Sequence, residues 1–472
     1  MNNLINDIKN KCGNSSDIVI RSIDTYSSTV TIIFNEVLCS GDDINDFLLK
    51  KITKLINVPT KDTYSLILNS IPLSNVKELD DVNSVIDYIF KGFCIIFVDN
   101  SFIAVEVKAK LDRGINTTDS EVSIIGPKDA FNENFNTNVG LIRRRIRSNN
   151  LYLKTLFIGK NSNTKVGVCY MNNIANDELI TKIMKKLEEI NIDGIIDSGY
   201  IRERIIKKDH LFPVINITER PDTVSQALLE GKVAIVVDNS PYVLIIPTFF
   251  IDFLHTPDDY YQKPINASFI RIIRLIGFII AIFLPAYYVS VTTHNTSSIP
   301  INLLVNFTSQ RLTVPFPAFI EAILMIISFE ILRESDTRIP SKMGTSVSIL
   351  GGLVIGDAAV NAGIISPIMI IVVAISAISG LIFTSNALSQ AIRYYRIFLL
   401  IIATFFGIYG IFIGLVLLVT KLCSITSFGF PYMAPLSPII KSELNDAVIR
   451  VKGKRLRKRN PLLTDKNIIR ER

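Results

Sequence analysis

Residues 396–421 read RIFLLIIATFFGIYGIFIGLVLLVTK, with no charged side chain between Arg396 and Lys421. A helix needs about twenty apolar residues, rising 1.5 Å each, to cross a hydrocarbon core of about 30 Å. This run is long enough, so it predicts a membrane-crossing helix. Four further apolar segments precede it, near 270–292, 316–332, 347–365 and 367–384. Between about 266 and 440 charged residues nearly vanish, whereas 1–265 mix charged and apolar residues as a globular domain does. The fold class expected is therefore an α/β cytoplasmic N-terminal region followed by an all-α polytopic transmembrane domain.

The N-terminal region contains an internal echo. GFCIIFVDNS (92–101) and GKVAIVVDNS (231–240) each run from a glycine through an apolar strand to Asp-Asn-Ser, and a second apolar run follows. Asn and Asp tolerate positive φ and hydrogen-bond their own backbone, which makes this turn chemistry between two strands. A helical pattern precedes each hairpin, VNSVIDYIFKG (82–92) and TVSQALLEGK (223–232). Two related α/β subdomains are expected, at 1–118 and 119–262, ahead of the transmembrane domain at 263–440. LYLKTLFIG (151–159) and TKVGVCYM (164–171) read as strands, and 176–192 as a helix with Leu179, Ile183, Leu187 and Ile190 on one face. The run RRRIR (143–147) reads as a solvated helix face, with contact to a partner or lipid phosphate as the alternative.

Residues 441–472 form a basic tail of eleven Lys/Arg and four Asp/Glu, which accounts for the +7 of the whole chain. Beside the last apolar helix it reads as a cytoplasmic anchor facing anionic membrane lipid. No aromatic residues alternate with its basic ones, so no nucleic acid is expected. Five full spans would place this tail outside, against the charge rule. Four spans are expected, with 316–332 or 347–365 re-entrant or flat. MNNLINDIKNKCGNSSD has no apolar core for a signal peptide, which keeps the N-terminal region in the cytoplasm. Five scattered cysteines without CxxC spacing argue against disulfides and zinc. No GxGxxG, Walker loop, HExxH or GxSxG occurs, and His210, His255 and His294 lie far apart. An enzyme, a cofactor and a metal site are not expected.

The candidate site lies in GGLVIGDAAVNAG (351–363). On a helix, Asp357 and Asn361 fall within about 40° of each other, with Leu350, Val354 and Ile364 nearby. Gly352, Gly356, Ala359 and Gly363 form a separate small-residue stripe that would let another helix approach. An ionised Asp at a helix centre in lipid costs about 2.5–3.5 kcal/mol, so Asp357 should face a cavity, a pore, another subunit or a membrane surface. Glu321 poses the same problem in 316–332. Glu330, before Arg333, reads as a local ion pair at a helix end.

Five strings in order resemble the A subunits of bacterial spore germinant receptors, the GerA family. They are IGPKDAFNENFNTNVGLIRRRIR (125–147), ITERPDTVSQALLEGKVAIVVDNSP (217–241), VPFPAFIEAILMIISFEILRESDTRIP (314–340), GGLVIGDAAVNAG (351–363) and SFGFPY (427–432). HNTSSIP (294–300) and RESDTRIP (333–340) are more polar than that family pattern. The resemblance implies a subunit of the inner membrane of the bacterial spore, working with a transporter-like B subunit and a lipoprotein C subunit in nutrient sensing. It also implies a homo-oligomer that provides or gates a cation path, and on the reading of the residues given above Asp357, Asn361 and Glu321 are the candidates to line it. A secondary transporter of a small solute and a non-conducting scaffold for the other subunits are the alternatives.

Overall fold

The computed structural model describes residues 2–26, 28–54, 56, 63–73, 75–109, 121, 123–206, 210–338, 351–352, 354–452, 456–464 and 466–470. Leu350, the opening of segment 347–365, the end of RESDTRIP and the boundary at 118/119 lie outside the described residues.

The first subdomain is an antiparallel sheet of β1 (Ile18–Asp24), β2 (Thr29–Asn35), β3 (Val76–Leu79), β4 (Phe93–Val98) and β5 (Ser101–Glu106), in the order β1-β2-β4-β5-β3. Helix α1 (Val82–Ile89) connects β3 to β4. In the second, α2 (Phe135–Arg145) leads into β6 (Leu151–Ile158) and β7 (Thr164–Met171). Then come α3 (Asp177–Glu188), β8 (Asn216–Thr218), α4 (Pro221–Leu229), β9 (Val233–Val237) and β10 (Val243–Ile246). Its strand order, β6-β7-β9-β10-β8, repeats the first pattern strand for strand. The echoed decapeptides occupy equivalent places, the β4–β5 and β9–β10 hairpins.

The apolar runs are continuous because both faces of these central strands are covered. Phe93, Ile95 and Phe97 enter one core, packed on Val85, Ile86 and Ile89 of α1. Cys94, Ile96 and Val98 enter another, packed on Ile44, Leu48 and Ile52. In the second sheet, Val233, Ile235 and Val237 meet Leu179, Ile183 and Leu187 of α3, while Ala234 and Val236 meet α2 and α4. At the first turn Val98 pairs with Ser101, leaving Asp99 and Asn100 at φ 47° and 64°, the two-residue loop favoured between antiparallel strands.

The subdomains are joined by a side chain that the sequence pattern misplaces. Arg143, expected on a solvated face, is 1% exposed. Its guanidinium forks onto Asp17, Nε at 2.8 Å and Nη2 at 3.0 Å, and lies 4.9 Å from the Phe90 ring centre. Ser15 (2.6 Å) and Asn35 (2.7 Å) also donate to Asp17. Three arginines in a row fit a helix surface when read locally. The carboxylate that buries the first of them lies more than a hundred residues upstream. Arg145 follows the local expectation more closely, pairing with half-buried Asp129 at 2.6 Å.

The C-terminal half is helical: α5 (Pro264–Thr293), α6 (Ile301–Arg311), α7 (Ala318–Arg338), α8 (354–361), α9 (Pro367–Gly380), α10 (Asn386–Ser424) and α11 (Lys441–Ala447). Among the described residues, α5 and α10 are long and apolar enough to cross a membrane. By contrast, α9 has 14 residues, about 21 Å at 1.5 Å each, short of the ~30 Å core.

Two interruptions in the long helices are repaired by neighbours. Pro285 has no N–H, so the Ala281 carbonyl loses its helical donor. Arg396 Nε (2.8 Å) and Ser376 Oγ (2.9 Å) donate to it instead, tying α5, α9 and α10 together. In α10, Gly407 adopts φ 58°, ψ −141° and breaks the ladder. His294 Nε2 lies 2.7 Å from the Thr404 carbonyl, and Asn295 Oδ1 accepts from Ile408 N–H at 3.3 Å. The polar HNTSSIP string thus supplies partners for backbone groups that lipid cannot satisfy. Asn295→Ala is expected to lower stability in detergent by about 1–3 kcal/mol, the scale for an orphaned buried donor. Thermal melting of the full chain against wild type checks this.

The basic tail does not simply face lipid. Lys458 bridges Ile469, closing a loop that returns onto the second subdomain. Leu463 is buried there, Arg459 Nε donates to the Leu229 carbonyl (2.8 Å), Lys466 pairs with Asp177 (2.7 Å), and Arg470 pairs with Glu230. Carboxylates and carbonyls of the domain, rather than lipid phosphates, meet these charges. That corrects the lipid-anchor expectation for these side chains.

Candidate functional site in the helical domain

Helix α7 turns Ala318, Glu321, Ala322, Met325 and Ile326 inward, a one-sided spacing that buries an acid among small and apolar neighbours. Glu321 is fully buried, and its Oε2 accepts from Ser366 N–H (2.9 Å) and Oγ (2.8 Å). Ser366 caps α9 and Pro367 follows at its first position, so the carboxylate sits at the positive end of that helix. The other oxygen, Oε1, lies 3.6 Å from Arg311 Nε at the end of α6. Apart from Arg311 and Glu321, residues 275–329 hold no Asp, Glu, Lys or Arg. That isolation was the signal in the sequence. The pairing of Arg311 and Ser366 with Glu321 was missed because it spans two helix-to-helix connections. Glu330, expected to pair locally with Arg333, pairs instead with Arg393 of α10 at 2.7 Å.

Asp357 and Asn361 do lie on one helix, α8, and both are exposed on the outside of the single chain. Among the described residues, the Asp357 side chain has no hydrogen-bond or ion-pair partner. The structure does not bring these two residues to Glu321, which points into the bundle. The small residues divide by role. Ala359 packs against the cluster containing Tyr288, Ala318 and Ala322. A Cβ on Gly352 would meet Leu332 at 3.9 Å, and one on Gly356 would meet nothing within 4 Å. Gly363 ends the helix at φ 66°: its N–H bonds the Val360 carbonyl, and the next N–H bonds that of Ala359. This is the left-handed C-terminal cap that glycine favours, and a Cβ there would also meet the Thr313 carbonyl oxygen at 3.2 Å.

A polar junction connects the second subdomain to the helices. Asp259 accepts from Arg271 Nε (3.2 Å), Arg274 Nη1 (2.7 Å) and Arg274 Nη2 (2.9 Å), and is itself 1% exposed. Asp446 of α11 takes Arg271 Nη1 (2.8 Å) and the Tyr260 hydroxyl (2.8 Å). Arg450 donates to the Gln262 carbonyl at 2.8 Å and to that of Asp259. Burial raises the Asp259 carboxyl, but Arg274 and Arg271 outweigh it and hold it below the usual range. His255, 2.6 Å from the Ala447 carbonyl, is pushed down to about 4 by burial and by Arg271, so it is neutral at physiological pH. Apolar contact continues across the junction, with Phe250 on Phe278 (5.2 Å) and Phe212 on Tyr395 (5.4 Å).

The family model described as Bacillus/Clostridium GerA spore germination protein matches residues 6–462. The chain belongs to the GerA family. This GerA-family chain is 36% identical over 455 residues to spore germination protein KA of Bacillus subtilis strain 168, covering 95% of this chain and 84% of that protein. It is 36% identical over 391 residues to spore germination protein B1 of the same strain, covering 82% and 80%. Among solved structures it is similar to the N-terminal domain of the A subunit of the Bacillus megaterium spore germinant receptor GerK3. That match has 33% identity and a TM-score of 0.41, and covers 52% of this chain and 94% of that one.

Proposed function

We propose that this GerA-family chain is the A subunit of a nutrient germinant receptor. In this reading it resides in the inner membrane of the spore, with the α/β subdomains and the tail on the core side. Copies assemble around the outer face of α8, and Asp357 and Asn361 line a path for monovalent cations. Glu321 stands beside that path rather than on it. The observation that carries the reading is an exposed Asp357, without a partner among the described residues, on the surface of one chain within an apolar segment. Left in lipid it would cost about 2.5–3.5 kcal/mol, and water in a shared lumen removes that cost. The two related α/β subdomains transmit to α5 through the Asp259 junction, and a transporter-like B subunit and a lipoprotein C subunit complete the receptor.

Asp357→Ala is expected to slow cation release from germinating spores about tenfold, the scale of 1.4 kcal/mol, with receptor levels unchanged. Release kinetics equal to wild type at normal protein levels would overturn the assignment. A solute transporter is the second reading, favoured by the α8–α9 interruption that points a helix N-terminus at a buried acid. Purified chain in liposomes separates these readings: ion flux supports the path, solute exchange the transporter, and silence with B and C subunits present a scaffold.

A further inference from the structure

Several polar atoms around Glu321 are buried and, among the described residues, lack hydrogen-bond partners. Glu321 Oε1, Arg311 Nε and the Tyr288 hydroxyl are all in this state. The 3.6 Å between Arg311 Nε and Glu321 Oε1 is too long for a hydrogen bond. Tyr288 belongs to the same buried cluster as Ala318, Ala322 and Ile365, the residues that flank Glu321 and Ser366. Three oxygens therefore converge on one poorly served position: a carboxylate, a phenol and the Ser366 hydroxyl, which donates to Oε2 but keeps lone pairs. Arg311 holds this position loosely. It ends α6, none of whose residues is fully buried, and which meets the bundle through Phe307, 6.1 Å from the Tyr288 ring centre.

We propose that Glu321, Tyr288 and Ser366 form a binding site for a dehydrated monovalent cation, and that the Arg311 guanidinium is its tethered occupant in this conformation. The ligand chemistry sets the class. Hard oxygen donors suit alkali and alkaline-earth ions, and a single carboxylate balances one positive charge, whereas divalent sites usually gather several carboxylates. Among the described residues no group of three His, Cys, Asp or Glu comes together to supply them. A mobile cation and Arg311 cannot both occupy the site, so ion binding and the docking of α6 are mutually exclusive. Ion occupancy thereby sets the position of α6. The inference deepens the cation reading, but it concerns one chain and does not depend on Asp357.

The test is thermal melting of the purified full chain in detergent, in sodium, potassium or rubidium chloride against choline chloride at equal ionic strength. Wild type is expected to melt at the same temperature in all of them, since Arg311 fills the site. Arg311→Met is expected to gain a saturable alkali-cation stabilisation of about 2–4 °C. Arg311→Met/Glu321→Gln, which removes both charges, should lose that dependence. Asp357→Ala placed on Arg311→Met should keep it, which separates this idea from the proposed path. Equal melting of folded Arg311→Met in alkali and choline salts would overturn the proposal. So would failure of Arg311→Met to fold in every salt while the double variant folds. Folding of Arg311→Met in alkali salts alone would support it.

Discussion

Asp259→Ala is expected to destabilise the junction by about 3–5 kcal/mol, the scale for breaking a buried ion pair from one side. Two guanidinium groups, Arg271 and Arg274, converge on this one carboxylate, which has essentially no solvent contact. Removing it leaves Arg274 with the Leu254 carbonyl (2.9 Å) and Thr256 hydroxyl (3.0 Å), and Arg271 with Asp446 and the Tyr260 ring. The effect should reach the second subdomain before the first, because the core of the second runs through Phe250, Leu254 and Phe278 into the helices, whereas the first has cores of its own. Limited proteolysis should therefore show new cleavage around 255–263, and melting of the full chain should separate into two transitions. A variant that melts as one transition within 1 °C of wild type would show that the apolar contacts of Phe250 and Phe212 suffice. If the subdomains signal through this junction, Asp259→Ala should also weaken the germination response at unchanged protein level.

Arg143→Ala is the second large effect, again about 3–5 kcal/mol. It strands Asp17, whose remaining partners are Ser15 and Asn35. The double variant Arg143→Met/Asp17→Leu should recover much of the loss, because no charge is then left buried. The pH dependence has a definite sign. Burial raises the Asp17 carboxyl, but Arg143 with the Ser15 and Asn35 hydrogen bonds brings it below its ordinary 3.8. The folded state thus holds the proton less tightly than the unfolded chain. Its stabilisation is complete above the ordinary value and disappears as pH falls through the depressed one. Denaturant unfolding of wild type between pH 5 and 2 should lose stability more steeply than that of the double variant.

The α/β repeat was legible because it is written in local chemistry: a covered strand, an Asp-Asn turn, a helix before it. The apolar helices were legible from length alone. What escaped was every interaction whose partner lies far along the chain. Arg143 looked like surface because its neighbours in sequence are basic, and the tail looked lipid-bound because its acceptors are carbonyls and carboxylates of residues 172–230. The candidate site was legible in identity, not in surroundings. Asp357 and Asn361 share a helix as their spacing requires, and both lie exposed on the outside of the chain. Glu321 was recognisable as a buried acid, while its neighbours Arg311, Tyr288 and Ser366 come from three separate segments.

Residues 457–470 lie against a domain synthesised more than two hundred residues earlier. Leu463 lies beside Gly231, and Arg459 donates to the Leu229 carbonyl at the end of α4. On the ribosome, the second subdomain must therefore wait, its surface open, until all of the apolar helices have emerged. Completion of the α/β half becomes a checkpoint on the helical half, and a chain that stops short of its last twenty residues carries that gap permanently.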